Sequence, residues 1–290
     1  MFFKIFLALE EFFMLLGGIA VVSLAAAAAV CFGFDAFAGL SWLWMLPAAF
    51  AGTYLVGLIL AFLFLLIVCQ RVDLDKDEEN DCPFYRKIAR VYVEAILKLV
   101  QARVHTEGLE QTPKEGRFLL VCNHLNIMDP VLLLHYFRDS QLAFISKREN
   151  ANMFIVGKLI HKLLCQYINR ENDREAMKTI LKCISIIKED KASIAVFPEG
   201  YTSRDGKLQH FRSGVFKIAQ KANVPIAVCT VQNTKSILHN AIRLKPTHVE
   251  LHLVGVIPPQ ELKGITATEV GERVHRMMAD DLGPELVAAK

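Results

Sequence analysis

Phe118–Pro130, FLLVCNHLNIMDP, decides how this chain folds. Phe118 to Cys122 is a short apolar run of aromatic and branched side chains, the composition of a buried strand. It delivers Asn123 and His124 to its carboxyl end, where open α/β sheets gather their chemistry. Asp129 followed by Pro130 reads as a helix cap with proline in the first turn, ahead of the apolar Val131–Leu134. On one continuous helix His124 and Asp129 would diverge by about 140°. A helix that starts only at Asp129 leaves a loop that can fold the imidazole back onto the carboxylate, giving a base held by an orienting acid. Plain architecture is the alternative, since Asp-Pro is an ordinary helix start, and this stretch alone leaves both open.

Further strand ends carry chemistry-bearing residues outward from it. SIAVFPEG, residues 193–200, is an apolar run ending in Pro198, Glu199 and Gly200, and FRSG, residues 211–214, follows with Arg212. YINR, residues 167–170, places Arg170 in the same kind of position, and Lys147 follows the apolar 142–145. Arginine forks match phosphate oxygens in pairs, although arginines and lysines after strands are more often solvated. No G-x-S-x-G elbow supplies a nucleophile, so the chemistry suggested is proton abstraction from an acceptor with direct group transfer.

Expected strands are 118–122, 142–145, 166–168, 193–197, 226–231 and 249–256, with helical patterns between them. Asn172 with Glu175, and Thr266 with Glu269, have capping-box spacing at two helix starts. The class is α/β, and no dinucleotide or Walker motif is present.

The amino-terminal part differs in kind. The chain has 290 residues, 53% of them hydrophobic, and a formal charge of +3. Residues 12–33 and 43–69 contain no charged side chain, and about 20 apolar residues suffice to cross a bilayer. A signal peptide would need a basic flank where Glu10 and Glu11 stand. The short connection between the runs makes a hairpin. Its loop has no Lys or Arg, whereas Lys4 precedes the first run and Arg71, Lys76, Arg86, Lys87 and Arg90 follow the second. The positive-inside rule then places the later domain on the cytoplasmic face of the cell membrane, with a hairpin lying in one leaflet as the alternative to spanning. The expected organisation is a membrane hairpin over 1–72, an acidic linker and amphipathic interfacial helix over 73–104, and a catalytic domain over 105–290. The seven cysteines form no CxxC and the histidines do not cluster, so neither a disulfide framework nor a metal site is expected.

NHLNIMD resembles the NHx4D motif of the glycerolipid acyltransferases, especially the 1-acylglycerol-3-phosphate acyltransferases, and the likeness runs from about His105 to Pro258. The order of four blocks carries it. Asn123, His124 and Asp129 match the first; Gly157 with Tyr167, Ile168, Asn169 and Arg170 resembles the second; Phe197–Gly200 is a complete FPEG; Val224, Pro225 and Ile226 match the fourth. Asn169 stands where Asp is usual, Asn126 where Ser or Thr is common, and Tyr201–Arg204 departs from the usual Thr-Arg-Ser. The resemblance implies a mixed, mostly parallel sheet flanked by helices, with His124 as general base and Asp129 as its partner. It implies that Arg170 and Arg212 bind the acceptor phosphate, with Lys147 as a further candidate, and that Glu199 and Gly200 belong to the substrate site. The implied reaction moves an acyl group from acyl-CoA or acyl-carrier protein to lysophosphatidate beside membrane lipids, with no cofactor and no nucleic-acid partner. Relatives that acylate glycerol 3-phosphate or lysophospholipids share similar blocks. A membrane-anchored scaffold is the contrasting class, but it would not need His124 and Glu199 at strand ends.

Overall fold

The computed structural model describes residues 13–74, 76 and 78–288. Lys4, Glu10, Glu11 and the start of the first apolar run at Phe12 lie outside the described residues. Two compact units divide between Asp73 and Leu74.

In the first unit a π-helical turn, Phe13–Gly17, leads into α1, Gly18–Gly33, and α2 spans Trp42–Gln70. The pair is antiparallel: Ser23 O accepts from Thr53 Oγ1 at 3.2 Å, and a Cβ on Gly57 would come within 2.4 Å of Ile19 Cγ2. Small residues allow this approach, with Ser23, Ala27 and Cys31 buried between the helices. Val21, Val22, Phe32, Leu55 and Phe62 point outward. Leu15–Gly33 and Trp42–Gln70 are long and apolar enough to cross a membrane.

The second unit is built on a seven-stranded sheet with the order β1-β7-β6-β2-β5-β3-β4. The strands are β1 Ala102–Glu107, β2 Leu119–Cys122, β3 Leu142–Lys147, β4 Gln166–Ile168, β5 Ser193–Val196, β6 Ile226–Gln232 and β7 Thr247–Ile257. Every pairing is parallel except β6 with β7. Strands β2 and β5 are buried along their whole length, and β6 at all but its last residue. Helices cover both faces of the centre, which is why these strands read as continuous apolar runs without alternation. The helices are α3 Pro83–Leu99, α4 Asp129–Tyr136, α5 Val156–Lys162, α6 Asp173–Lys188, α7 Lys217–Ala222, α8 Ser236–Ile242 and α9 Ala267–Leu282.

Four sequence expectations change here. β1 was not anticipated: ARVHTE is an edge strand with most of its side chains exposed, so it has no apolar signature. The stretch expected to be a linker and interfacial helix belongs to the sheet domain. Val93, Leu97 and Val100 pack on Met128, Leu132, Ile237 and Val249, and burying that stripe against the core satisfies it without lipid. Arg86, counted among the flanking cations, is buried at the root of α3. It pairs with Asp81 at 2.8 Å and donates from Nη1 to Leu142 O at 2.7 Å. Of the two expected capping boxes only the second closes, because Glu175 Oε2 accepts from Asn169 Nδ2. Asn172 Oδ1 accepts from the amides of Arg174 and Glu175, and Thr266 with Glu269 closes a full capping box.

Candidate active site

Strand β2 hands the chain over through Asn123, which is buried and completes the ladder with its side chain. Its Nδ2 donates to Val231 O at 2.9 Å and its Oδ1 accepts from Val231 N at 2.8 Å. The amide thus copies one more peptide of β2 beside β6 and fixes the direction in which residue 124 leaves the sheet.

His124 Nδ1 lies 2.8 Å from Asp129 Oδ2. The same oxygen accepts from the amides of Leu125 at 2.6 Å and Asn126 at 2.7 Å, while Oδ1 accepts from Thr234 Oγ1 at 2.6 Å. Asp129 is wholly buried. The Nδ1 bond to this carboxylate leaves Nε2 as the ring nitrogen not used by the loop. The ring stacks on Phe197 at 4.2 Å between centroids. Asp129 is therefore not the cap expected for α4. Met128 holds that position, and the carboxylate turns back to close the loop before the helix.

Glu199, expected in the substrate site, lies directly behind His124. It is 1% exposed, and its two oxygens accept from His124 N at 2.6 Å and Gln209 N at 3.0 Å. Burial raises its carboxyl to about 7 against the pull of those two amides, with Asp129 and Asp205 adding to the rise. Ser203 N donates to His124 O at 2.7 Å, so both backbone polar groups of His124 are tied to the 197–209 segment. Gly200 has φ +81°, and a Cβ there would stand 3.0 Å from Arg212 Nε. Glycine thus admits both the turn and the close passage of the guanidinium.

Arg212 N donates to Pro198 O at 2.8 Å, holding its segment against the FPEG turn. Arg170 is half-buried at the end of β4. Burial and the neighbouring Arg212 charge lower its pKa, while Glu149 opposes them. The Arg212 charge thus acts on Arg170 across the site. Lys147 ends β3 and is exposed. Asn126 Oδ1 accepts from Met128 N at 3.1 Å, so this residue shapes the loop where Ser or Thr is common. Burial pushes the thiols of Cys122, Cys165, Cys183 and Cys229 up, which makes them poor nucleophiles.

Residues 103–232 match the family model described as Acyltransferase. That likeness is carried by residues 103–232, under half of the chain. A 1-acyl-sn-glycerol-3-phosphate acyltransferase of Chlamydomonas reinhardtii is 28% identical over 212 residues, covering 71% of this chain and 62% of that protein. One of Borreliella burgdorferi is 27% identical over 147 residues, covering 51% of this chain and 58% of that protein. The chain thus spans less than two thirds of the length of these curated relatives. The crystal structure of the 1-acyl-sn-glycerophosphate (LPA) acyltransferase PlsC from Thermotoga maritima has the same fold, with a TM-score of 0.55 and 22% identity over 78% of this chain and 89% of that one. All the expected site residues fall within the acyltransferase match, whereas Thr234 lies just beyond its end.

Thr234 was not singled out by the sequence, because one threonine after a strand carries no signal. Its bond to Asp129 Oδ1 is expected to hold the carboxylate plane that aims His124. Thr234→Val should lower kcat about ten- to a hundredfold with KM little changed, the scale of one lost bond to a charged group. Thr234→Ser should restore most of it; equal losses in the two variants would remove this role.

Glu199 also makes stability depend on pH. Its carboxyl is near 4.5 when free and rises to about 7 in the fold. A raised carboxyl contributes stability that is complete below the unfolded value and is lost as pH rises through the folded one. Between about pH 5 and 8 the protein should lose about 3 kcal/mol relative to Glu199→Gln, measured by thermal or denaturant unfolding in detergent. Parallel curves for the two proteins would contradict it.

Proposed function

We propose that the chain acylates lysophosphatidate to phosphatidate by direct transfer, with His124 as general base and Asp129 as its orienting partner. The observation that carries this reading is the Nδ1-to-carboxylate bond, which leaves Nε2 to accept a proton. The acceptor hydroxyl gives its proton to Nε2 as its oxygen attacks the thioester carbonyl of acyl-CoA or acyl-carrier protein. The tetrahedral intermediate then collapses, the carbon–sulfur bond breaks, and the leaving thiolate recovers the proton from the imidazolium. Arg170 and Arg212 would hold the acceptor phosphate, and the action of the Arg212 charge on Arg170 supports that role. The lysophosphatidate reading also draws on the relatives named above as 1-acyl-sn-glycerol-3-phosphate acyltransferases.

Purified His124→Ala should lose about 10²- to 10⁴-fold in turnover while remaining folded. The parent enzyme should prefer lysophosphatidate over glycerol 3-phosphate and lysophosphatidylcholine by at least about tenfold in kcat/KM. Near-normal turnover by the variant would sink the base assignment. A preference for either other acceptor would instead move the protein to another acylation.

The charge-free helices and the basic residues after Gln70 support a membrane-embedded hairpin with the domain on the cytoplasmic face. In intact cells a membrane-impermeant thiol reagent should reach an engineered cysteine at Gly39 but not one at Gln260. Labelling at Gln260 would reverse the orientation, and protection at both would favour a hairpin held in one leaflet.

A further inference from the structure

Large apolar side chains left uncovered are distributed unevenly around the domain of residues 74–290. The sheet edge that carries His124 exposes Leu99, Ile127, Phe154, Ile242 and Leu244, at 74%, 58%, 59%, 87% and 80%. At the opposite edge, among the described residues, the connections at 108–118, 137–141, 189–192, 223–225 and 258–266 include none of the exposed large hydrophobics. Phe84, at the start of α3 near the opposite edge, is exposed as well, so the distribution is a bias toward the His124 edge; scattered exposed leucines are ordinary on a protein surface, but such a cluster is not.

The most exposed of these residues lie on a turn that is held firmly. Ile237 is buried and anchors α8, Asn240 Nδ2 donates to Thr247 Oγ1 at 3.0 Å, and Lys245 N donates to Asn240 O at 2.9 Å. Leu244 has φ +55°, where glycine or asparagine would sit with less strain. A branched side chain in that conformation and exposed to solvent gains nothing from the domain itself. The order Ile242, Arg243, Leu244, Lys245 alternates aliphatic tips with cations, all of them exposed. That alternation suits a bilayer interface, where aliphatic groups reach the acyl boundary and cations meet anionic headgroups.

We propose that Ile242–Lys245 is a membrane-seating ridge that settles at the headgroup level of an anionic bilayer. The ridge presents the His124 edge of the sheet to the lipid. If the acyl-transfer reading above holds, an amphiphilic acceptor then reaches the base without its chain leaving the bilayer.

The test uses the full chain reconstituted in vesicles of phosphatidylcholine and phosphatidylglycerol at about three to one. Leu244→Cys and, at the opposite edge, Lys263→Cys are each labelled with a small fluorophore in a Cys82→Ser background. Brominated acyl chains should quench the label at position 244 at least about threefold more than the label at 263. Changing Arg243 and Lys245 together to Gln should reduce that quenching. Equal quenching at the two edges would overturn the proposal, and quenching unaffected by the Gln pair would remove its electrostatic part. Neither measurement needs turnover, so a failed acyltransferase assay would leave this result intact. Where activity is present, Ile242→Ser with Leu244→Ser should slow turnover of a vesicle-bound long-chain acceptor but not of a short-chain soluble one. Equal slowing of both would show damage to the fold in place of lost seating.

Discussion

A carboxylate with no access to water holds this site together. Burying an isolated Asp129 would cost several kcal/mol, and the cost is offset only because each oxygen finds donors. Three of them come from the loop that follows β2, namely the Leu125 and Asn126 amides and His124 Nδ1, and the fourth is the Thr234 hydroxyl after β6. The first turn of α4 adds the favourable field of a helix start to the same negative charge. The loop therefore cannot close without the carboxylate, nor can the carboxylate be buried without the loop. His124 is aimed as a by-product of that mutual need.

The second constraint acts on the same residue from the other side. Glu199 and Ser203 between them bind the backbone N–H and C=O of His124, so the FPEG segment and the histidine loop hold one another in register. That coupling explains why two motifs 75 residues apart belong to one site. It also gives Glu199 a structural reason to be a carboxylate. Two amide donors from different segments need an acceptor with two oxygens, and a glutamate reaches both. Arg212 then passes over Gly200, where a Cβ would press on its Nε and Cδ and the positive φ favours glycine.

What could be read from the sequence follows this division between chemistry and support. The buried strands were legible because continuous apolar runs survive any reading frame, and β2, β5 and β6 are such runs. The pairing of His124 with Asp129 was legible because spacing and a helix start together limit the loop geometry. β1 was not, since an exposed edge strand needs no apolar pattern. Thr234 and the bracing role of Glu199 were not legible either, because each depends on a contact far away in sequence. Arg86 misled in the opposite direction: an arginine near a membrane span looks like a topology signal until Asp81 and Leu142 O are seen to hold it.

The same bonding pattern bears on where the nucleophile comes from. An imidazole whose Nδ1 is committed to a carboxylate can activate only a hydroxyl or thiol placed at Nε2. Two hydroxyls of the supporting segments are already engaged. Ser203 Oγ donates to Asp205 and accepts from Gly206 N, and Thr234 Oγ1 donates to Asp129. Burial holds Cys122 and Cys229, the cysteines on β2 and β6, as thiols. A base prepared in this way, with its own neighbours occupied, is suited to a hydroxyl brought by the acceptor. The contacts that stabilise these loops thus occupy Ser203 and Thr234, the same two side chains that would otherwise offer a hydroxyl beside the loop.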